Sequence, residues 1–162
     1  LCNAFYEPSR DAVLRSHTWN FAINRATLAK LSSAPAFEYA FQYALPTDPF
    51  CLRVLKMEFE DYEFKVENLA GQGRVLLTNE GEANIIYIAR VTDPSLFDSM
   101  FVDVLTAKLA VDLAYPVTNS TTLQTQMQRL FERKLSDARS LDSTEGTTDS
   151  LISNVFTDFR AP

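Results

Sequence analysis

The stretch RSHTWNFAINR, from Arg15 to Arg25, holds the chain's one histidine, His17, and its one tryptophan, Trp19, two residues apart. An imidazole can act as a general base, a metal ligand or half of a Cys–His nucleophile pair. A zinc site needs three or four ligands at compatible spacing. This chain offers one histidine and two distant cysteines, Cys2 and Cys51, and nothing marks a third group to orient a Cys–His pair. His17 is therefore expected to be structural, at a helix end where an imidazolium suits the macrodipole. The acidic run MEFEDYEFKVE raises a second possibility, because Glu58, Glu60 and Glu63 could supply the carboxylate pair of glycoside hydrolysis. Their alternation with Met57, Phe59, Phe64 and Val66 fits the solvent face of two strands better. The glycines of AGQGR lack the spacing, the strand-to-helix context and the lysine of a phosphate loop. No enzymatic activity, metal or cofactor is expected from these residues.

The totals narrow the class further. With 162 residues, 46% of them hydrophobic, the chain can bury the core of one ordinary domain. The net charge of −6 argues against gripping nucleic acid, since phosphate contacts need a basic face. Two cysteines give no disulfide framework, which points to a reducing compartment. No apolar run approaches the roughly 20 residues of a membrane helix, and no stretch of the given sequence reads as a signal peptide. The chain starts at Leu1 without a methionine, so an upstream segment is expected.

The pattern predicts an α+β fold: a helical bundle, made of an amino-terminal helix and two long carboxyl-terminal helices, with an inserted antiparallel β meander. The first helix covers about 1–17, with Leu1, Phe5 and Ala12 on one stripe beside Cys2 and Val13. Pro8 either kinks it or opens a second helix. From Trp19 the spacing alternates through Phe21 and Ile23, so strand is expected at once. The β-rich part spans about 19–91, with a register change at Glu60–Asp61, a turn at Gly71 and Gly73, and another at NEGEAN. IIYIARV is apolar on both parities and reads as a central, well-covered strand. Asp93 and Pro94 are expected to open a helix over 94–115, ended by Pro116. That helix is apolar on two flanks: Phe97, Phe101, Val104 and Val111 on one, Val102, Leu105, Leu109 and Leu113 on the other. It should lie between neighbours. The last helix, about 120–141, carries one stripe from Leu123 through Leu135 to Leu141. These elements make a single domain over 1–141. Residues 142–162 form an extended arm, a polar DSTEGTTDS followed by Leu151, Ile152, Val155, Phe156 and Phe159. So much apolar surface on a short tail suggests docking on another chain.

Three phrases, CNAFYEPSRDAVLRSHTWNFAINRATLAKL, YALPTDPFCLRVL and IIYIARVTDPSLFDSMFVDVLTAKLAVDLAYPVT, cover just under half of the chain. In them the sequence resembles the head-to-tail adaptor (connector) proteins of tailed bacteriophages, the tail tubular protein A-like family. RDAVLRSHTWNFA is the most specific of the matching segments, and the loop at Pro49–Phe50 is slightly longer than the commonest form. The resemblance implies a structural virion protein at the head–tail interface, present in the host cytoplasm during assembly. It would form a homo-oligomeric ring, commonly a dodecamer, between the portal protein and a tail nozzle or other tail component. DNA would pass through the channel without specific binding, which suits an acidic wall. The arm residues Leu151, Ile152, Val155, Phe156 and Phe159 would engage the portal or a neighbouring subunit. His17, Trp19 and Phe21 would form the junction between the helical and β parts. Two other readings stay open: a non-viral protein-interaction module, and a tail-associated cell-wall hydrolase using Glu58, Glu60 and Glu63.

Overall fold

The structure is a computed structural model that describes residues 2–142. It is α+β, with three long helices and two three-stranded antiparallel sheets. Helix α1 is Cys2–Ser16; the strands are β1 Ile23–Thr27, β2 Phe41–Ala44, β3 Cys51–Met57, β4 Phe64–Leu69, β5 Gly73–Thr78 and β6 Asn84–Ala89; α2 is Ser99–Thr118 and α3 Thr121–Asp142. The arm residues Leu151, Ile152, Val155, Phe156 and Phe159 lie outside the described residues.

The strands do not pair in the chain order expected of a meander. One sheet runs β1-β6-β3 and the other β2-β5-β4, so only β4 and β5 are neighbours both in sequence and in space. The parity flip at Glu60–Asp61 marks the reason. It lies in the turn between β3 and β4, where the chain crosses from one sheet to the other. The NEGEAN turn carries it back from β5 to β6. Gly71, in the β4–β5 loop, and Gly73, the first residue of β5, take φ of 78° and 80°, a left-handed backbone that costs a glycine little.

Strand β6 sits in the middle of its sheet, and its double apolar parity follows from being covered twice. Ile85, Tyr87 and Ala89 pack in a core shared with Tyr43, Met57 and Leu76, between the two sheets. Ile88, on the opposite face, joins Val13, Leu14, Trp19, Phe101 and Val104 in a second core beneath the helices. The molecule is therefore layered as helices, first sheet, second sheet. Arg74 of β5 also binds across the sheets, donating to the carbonyls of Cys51 and Leu52 at 2.6 and 3.3 Å.

Helix α1 buries a different face from the expected stripe. Cys2 and Ala12 are exposed, while Ser9, Arg10, Val13 and Leu14 turn inward. Two polar residues can be buried because both are satisfied: the Ser9 hydroxyl donates to Asp112 at 2.6 Å, and Arg10 donates twice to Asp11. Pro8 lies inside one continuous helix.

The expected start of the second helix is also corrected. Asp93 and Pro94 open only a 3₁₀ turn, Pro94–Leu96, and α2 begins after Asp98, whose carboxylate accepts from Met100 N at 2.7 Å and Phe101 N at 3.4 Å. Pro116 does not end α2 but lies in its last turn. There the Thr118 hydroxyl takes the Ala114 carbonyl and the Asn119 amide takes that of Tyr115, with Asn119 left-handed at φ 52°. Helix α2 does lie between neighbours, α1 and α3. Its Phe101, Val104, Leu105, Ala107, Val111 and Ala114 are buried, but Val102 is exposed and Leu109 and Leu113 are half-buried. Along α3 only Ala138 is fully buried, and Leu141 is exposed.

Asp98→Ala should remove the cap of α2 and lower stability by about 1 kcal/mol in urea unfolding. Asp93→Ala, at a single 3₁₀ turn, should cost clearly less.

Candidate functional site

A helix that ends inside a protein leaves its last carbonyls without helical partners. Helix α1 ends where the helical layer meets the first sheet, and side chains from three elements close it. The Trp19 indole N–H donates to the Val13 carbonyl at 2.9 Å, and the Ser16 hydroxyl donates to the same oxygen at 2.8 Å. Arg139, in the last turn of α3, donates to the Ser16 carbonyl at 2.8 Å. Trp19 is completely buried, so its one polar atom needed such a partner.

Around the indole the aromatic side chains meet edge to face. The Trp19 ring lies 5.3 Å from Phe101 and 5.0 Å from His17, at 84° and 88°. Phe21 reaches Phe101 at 5.1 Å and Phe97 at 6.1 Å. These residues are not yet strand. Asn20–Ala22 form a 3₁₀ turn closed by Ala22 N to Trp19 O at 2.9 Å, and the sheet starts only at Ile23. The alternation through Trp19 and Phe21 misled because a one-turn helix can also send two aromatics into one corner. The large indole sets that local geometry.

His17 sits one residue beyond α1, and its Nε2 is 2.7 Å from Asp142 Oδ2, the last residue of α3. Both side chains are largely shielded, at 15% and 12% exposure. Asp142 also accepts from the Asn20 amide through Oδ1 at 3.3 Å, and its carbonyl accepts from the Asn20 side chain at 3.0 Å. The end of α3 is thereby latched to the segment joining α1 to β1. A carboxylate at a helix carboxyl terminus opposes the macrodipole, and its partners here offset that penalty. That misplaced charge was the available signal for Asp142, which the expected boundary assigned to the arm.

A second tie was not legible in the sequence. Asp11 of α1 takes Arg90, just after β6, at 2.7 Å, while its other oxygen takes Arg10. The Arg90 guanidinium lies over the Phe50 ring at 4.4 Å. Helix α1 is thus fixed to the first sheet at two points.

The other chemical candidates do not converge. Glu58 accepts from Asn84 at 2.8 Å, and Glu58, Glu60 and Glu63 are all exposed. An open concavity of about 450 Å³ near β1 is lined by Arg25, Thr27, Glu58 and Asn84 and by no second carboxylate. Among the described residues no group of three or more His, Cys, Asp or Glu could hold a metal, and no helix is long and apolar enough to cross a membrane. Cys2 is exposed, whereas Cys51 lies in the core between the sheets. Burial pushes the Cys51 thiol up, with Arg74 and Arg15 acting weakly the other way.

Trp19→Ala should destabilise the protein by roughly 3–5 kcal/mol, the usual result of truncating a buried aromatic side chain. Trp19→Phe should cost less, since the Ser16 hydroxyl still serves the Val13 carbonyl. In a double-mutant cycle, His17→Ala and Asp142→Ala should show a coupling of roughly 1–2 kcal/mol. A raised thiol pKa keeps Cys51 in the unreactive thiol form at neutral pH. A thiol reagent should therefore titrate Cys2 at once, and Cys51 only on unfolding.

Neither a protein-family model nor a curated protein sequence matches this chain, so its own residues and the geometry of the junction carry the functional reading.

Proposed function

We propose that this chain is the adaptor subunit of a tailed-bacteriophage virion, forming a ring that joins the capsid portal to the tail and continues the DNA channel. The observation that carries the proposal is the attachment of the carboxyl-terminal segment. Residues 143–162 leave from Asp142, which is tied to His17 and Asn20 at the junction of the helices and the first sheet. An arm that engages another subunit transmits position only if its root is held by the body of the protein. Here the root is held by three hydrogen bonds from two residues.

Two further features suit a ring subunit. The helical layer and the sheets share the β6 strand between their two cores, so the subunit can act as one body under load. Helix α2 leaves a flank uncovered, where the resemblance would put a neighbouring copy. The net charge of −6 suits a channel wall along which DNA slides, because bound phosphates would act as a brake. The sites for the portal and for the neighbouring copy would be the arm residues and α2 respectively, with no catalytic role for the exposed glutamates.

Purified portal oligomers test this directly. The full chain should bind them, and a chain ending at Asp142 should bind at least about tenfold more weakly, a loss of some 1.4 kcal/mol. Because Asp142 and its partners are retained, the thermal midpoint should stay within a few degrees. Equal binding by the two chains would refute the arm, and the absence of binding by the full chain would refute the adaptor.

A further inference from the structure

Helix α2 carries its charges on two sides only. Lys108 and Asp112 face α1, where Asp112 accepts from Ser9, and Asp103 pairs with Lys134 of α3 at 2.9 Å. Between those sides, at spacings of three and four residues, run Val102, Thr106, Leu109, Leu113 and Val117. Val102 is 44% and Val117 65% exposed, and Leu109 and Leu113 are half-buried. This is an uncharged, largely apolar stripe about 22 Å long at 1.5 Å per residue, exposed at Val102 and Val117 and half-buried between them, where Leu109 also packs against the core under the helices. A monomer in water is poorly served by such a face, and something of matching chemistry is expected to cover it.

The chain itself supplies a match. Leu151, Ile152, Val155, Phe156 and Phe159 recur at helical spacing, with Ser153, Asn154, Thr157 and Asp158 between them. Leu151 lies nine residues after Asp142. At about 3.3 Å per residue the intervening segment spans up to roughly 30 Å. Helix α3 runs antiparallel to α2, since Lys134 reaches Asp103 near the start of α2 while Arg139 meets the Ser16 carbonyl and Asp142 meets His17 at the end of α1. The Val102 end of the stripe therefore lies about 12 Å along the bundle from where the carboxyl-terminal segment departs, because Asp142 is eight residues beyond Lys134, and that near part is within reach. Tethering at that distance gives an effective concentration on the millimolar scale, which a second copy at ordinary concentrations does not approach.

We propose that the α2 stripe is a docking face for the chain's own carboxyl-terminal segment, Leu151 to Phe159, occupied within the free subunit. Resting on the adaptor reading, this docking has a regulatory consequence. The segment that engages a partner and the helix flank that meets a neighbour cover each other until assembly, so free subunits neither polymerise nor aggregate.

Thiol protection tests the docking without assuming a register. In a Cys2→Ser background, with Cys51 buried, the Val102→Cys thiol is labelled with a maleimide in the full chain. It is then labelled in a chain that also carries Phe156→Ser and Phe159→Ser, both chains being checked for unchanged helical circular dichroism. Labelling should be at least about tenfold slower in the first chain and independent of protein concentration, as an intramolecular contact requires. Equal rates would overturn the proposal. Protection that grows with concentration would overturn it too, by placing a second copy on the stripe. Portal binding is scored separately, so failure here leaves the adaptor reading standing, and failure there leaves the docking standing.

Discussion

The carboxyl end of α1 has to be satisfied in a buried corner, and the way it is satisfied decides how the molecule is put together. The Val13 carbonyl is met by an indole from the segment leading to β1, and the Ser16 carbonyl by a guanidinium from α3. Each donor belongs to a different element, so closing one helix end also sets the positions of the others. The Asp142 carboxylate adds the reciprocal tie, since it ends α3 and accepts from residues just after α1. Left without a partner, the buried Val13 carbonyl would cost about 1–3 kcal/mol, which makes arrangements that withdraw the indole expensive.

From that corner the apolar packing extends in two directions. Phe101 and Val104 of α2 complete the core under the helices, and Ile88 contributes to it from β6. The other face of β6 begins the core between the sheets, through Ile85 and Tyr87. One strand thus serves both cores, and neither can be lost without uncovering it. The lone histidine and lone tryptophan serve packing: Trp19 meets the Val13 carbonyl of α1, and His17 meets Asp142 at the end of α3.

Much of this was legible in the residues themselves. The 3.6-residue period located α2 and α3 to within a few positions, and the double parity of IIYIARV made β6 central. The place of Trp19 at a junction came from the family resemblance, while its spacing alone suggested a strand that starts only at Ile23. What escaped depended on partners far away in the chain. The buried face of α1 includes Ser9 and Arg10, which are interior residues only because Asp112 and Asp11 answer them. The pairing of β6 with β1 and β3 depends on long-range contacts that local alternation does not record. Pro116 looked like a terminator, yet a proline in the last turn forfeits one bond that Thr118 and Asn119 help to offset. The tie at Asp142 joins residues more than a hundred positions apart, so no local pattern records it.

Function in this account rests on one mechanical claim: helices and sheets open together because the end of α1 binds them into a single unit. Native-state hydrogen exchange tests that claim most directly. The slowest amides of α2 and of β6 should exchange with the same free energy of opening and the same dependence on denaturant. If the α2 and α3 amides exchange at a free energy well below that of β6, the helical layer opens on its own and the junction does not unite the molecule.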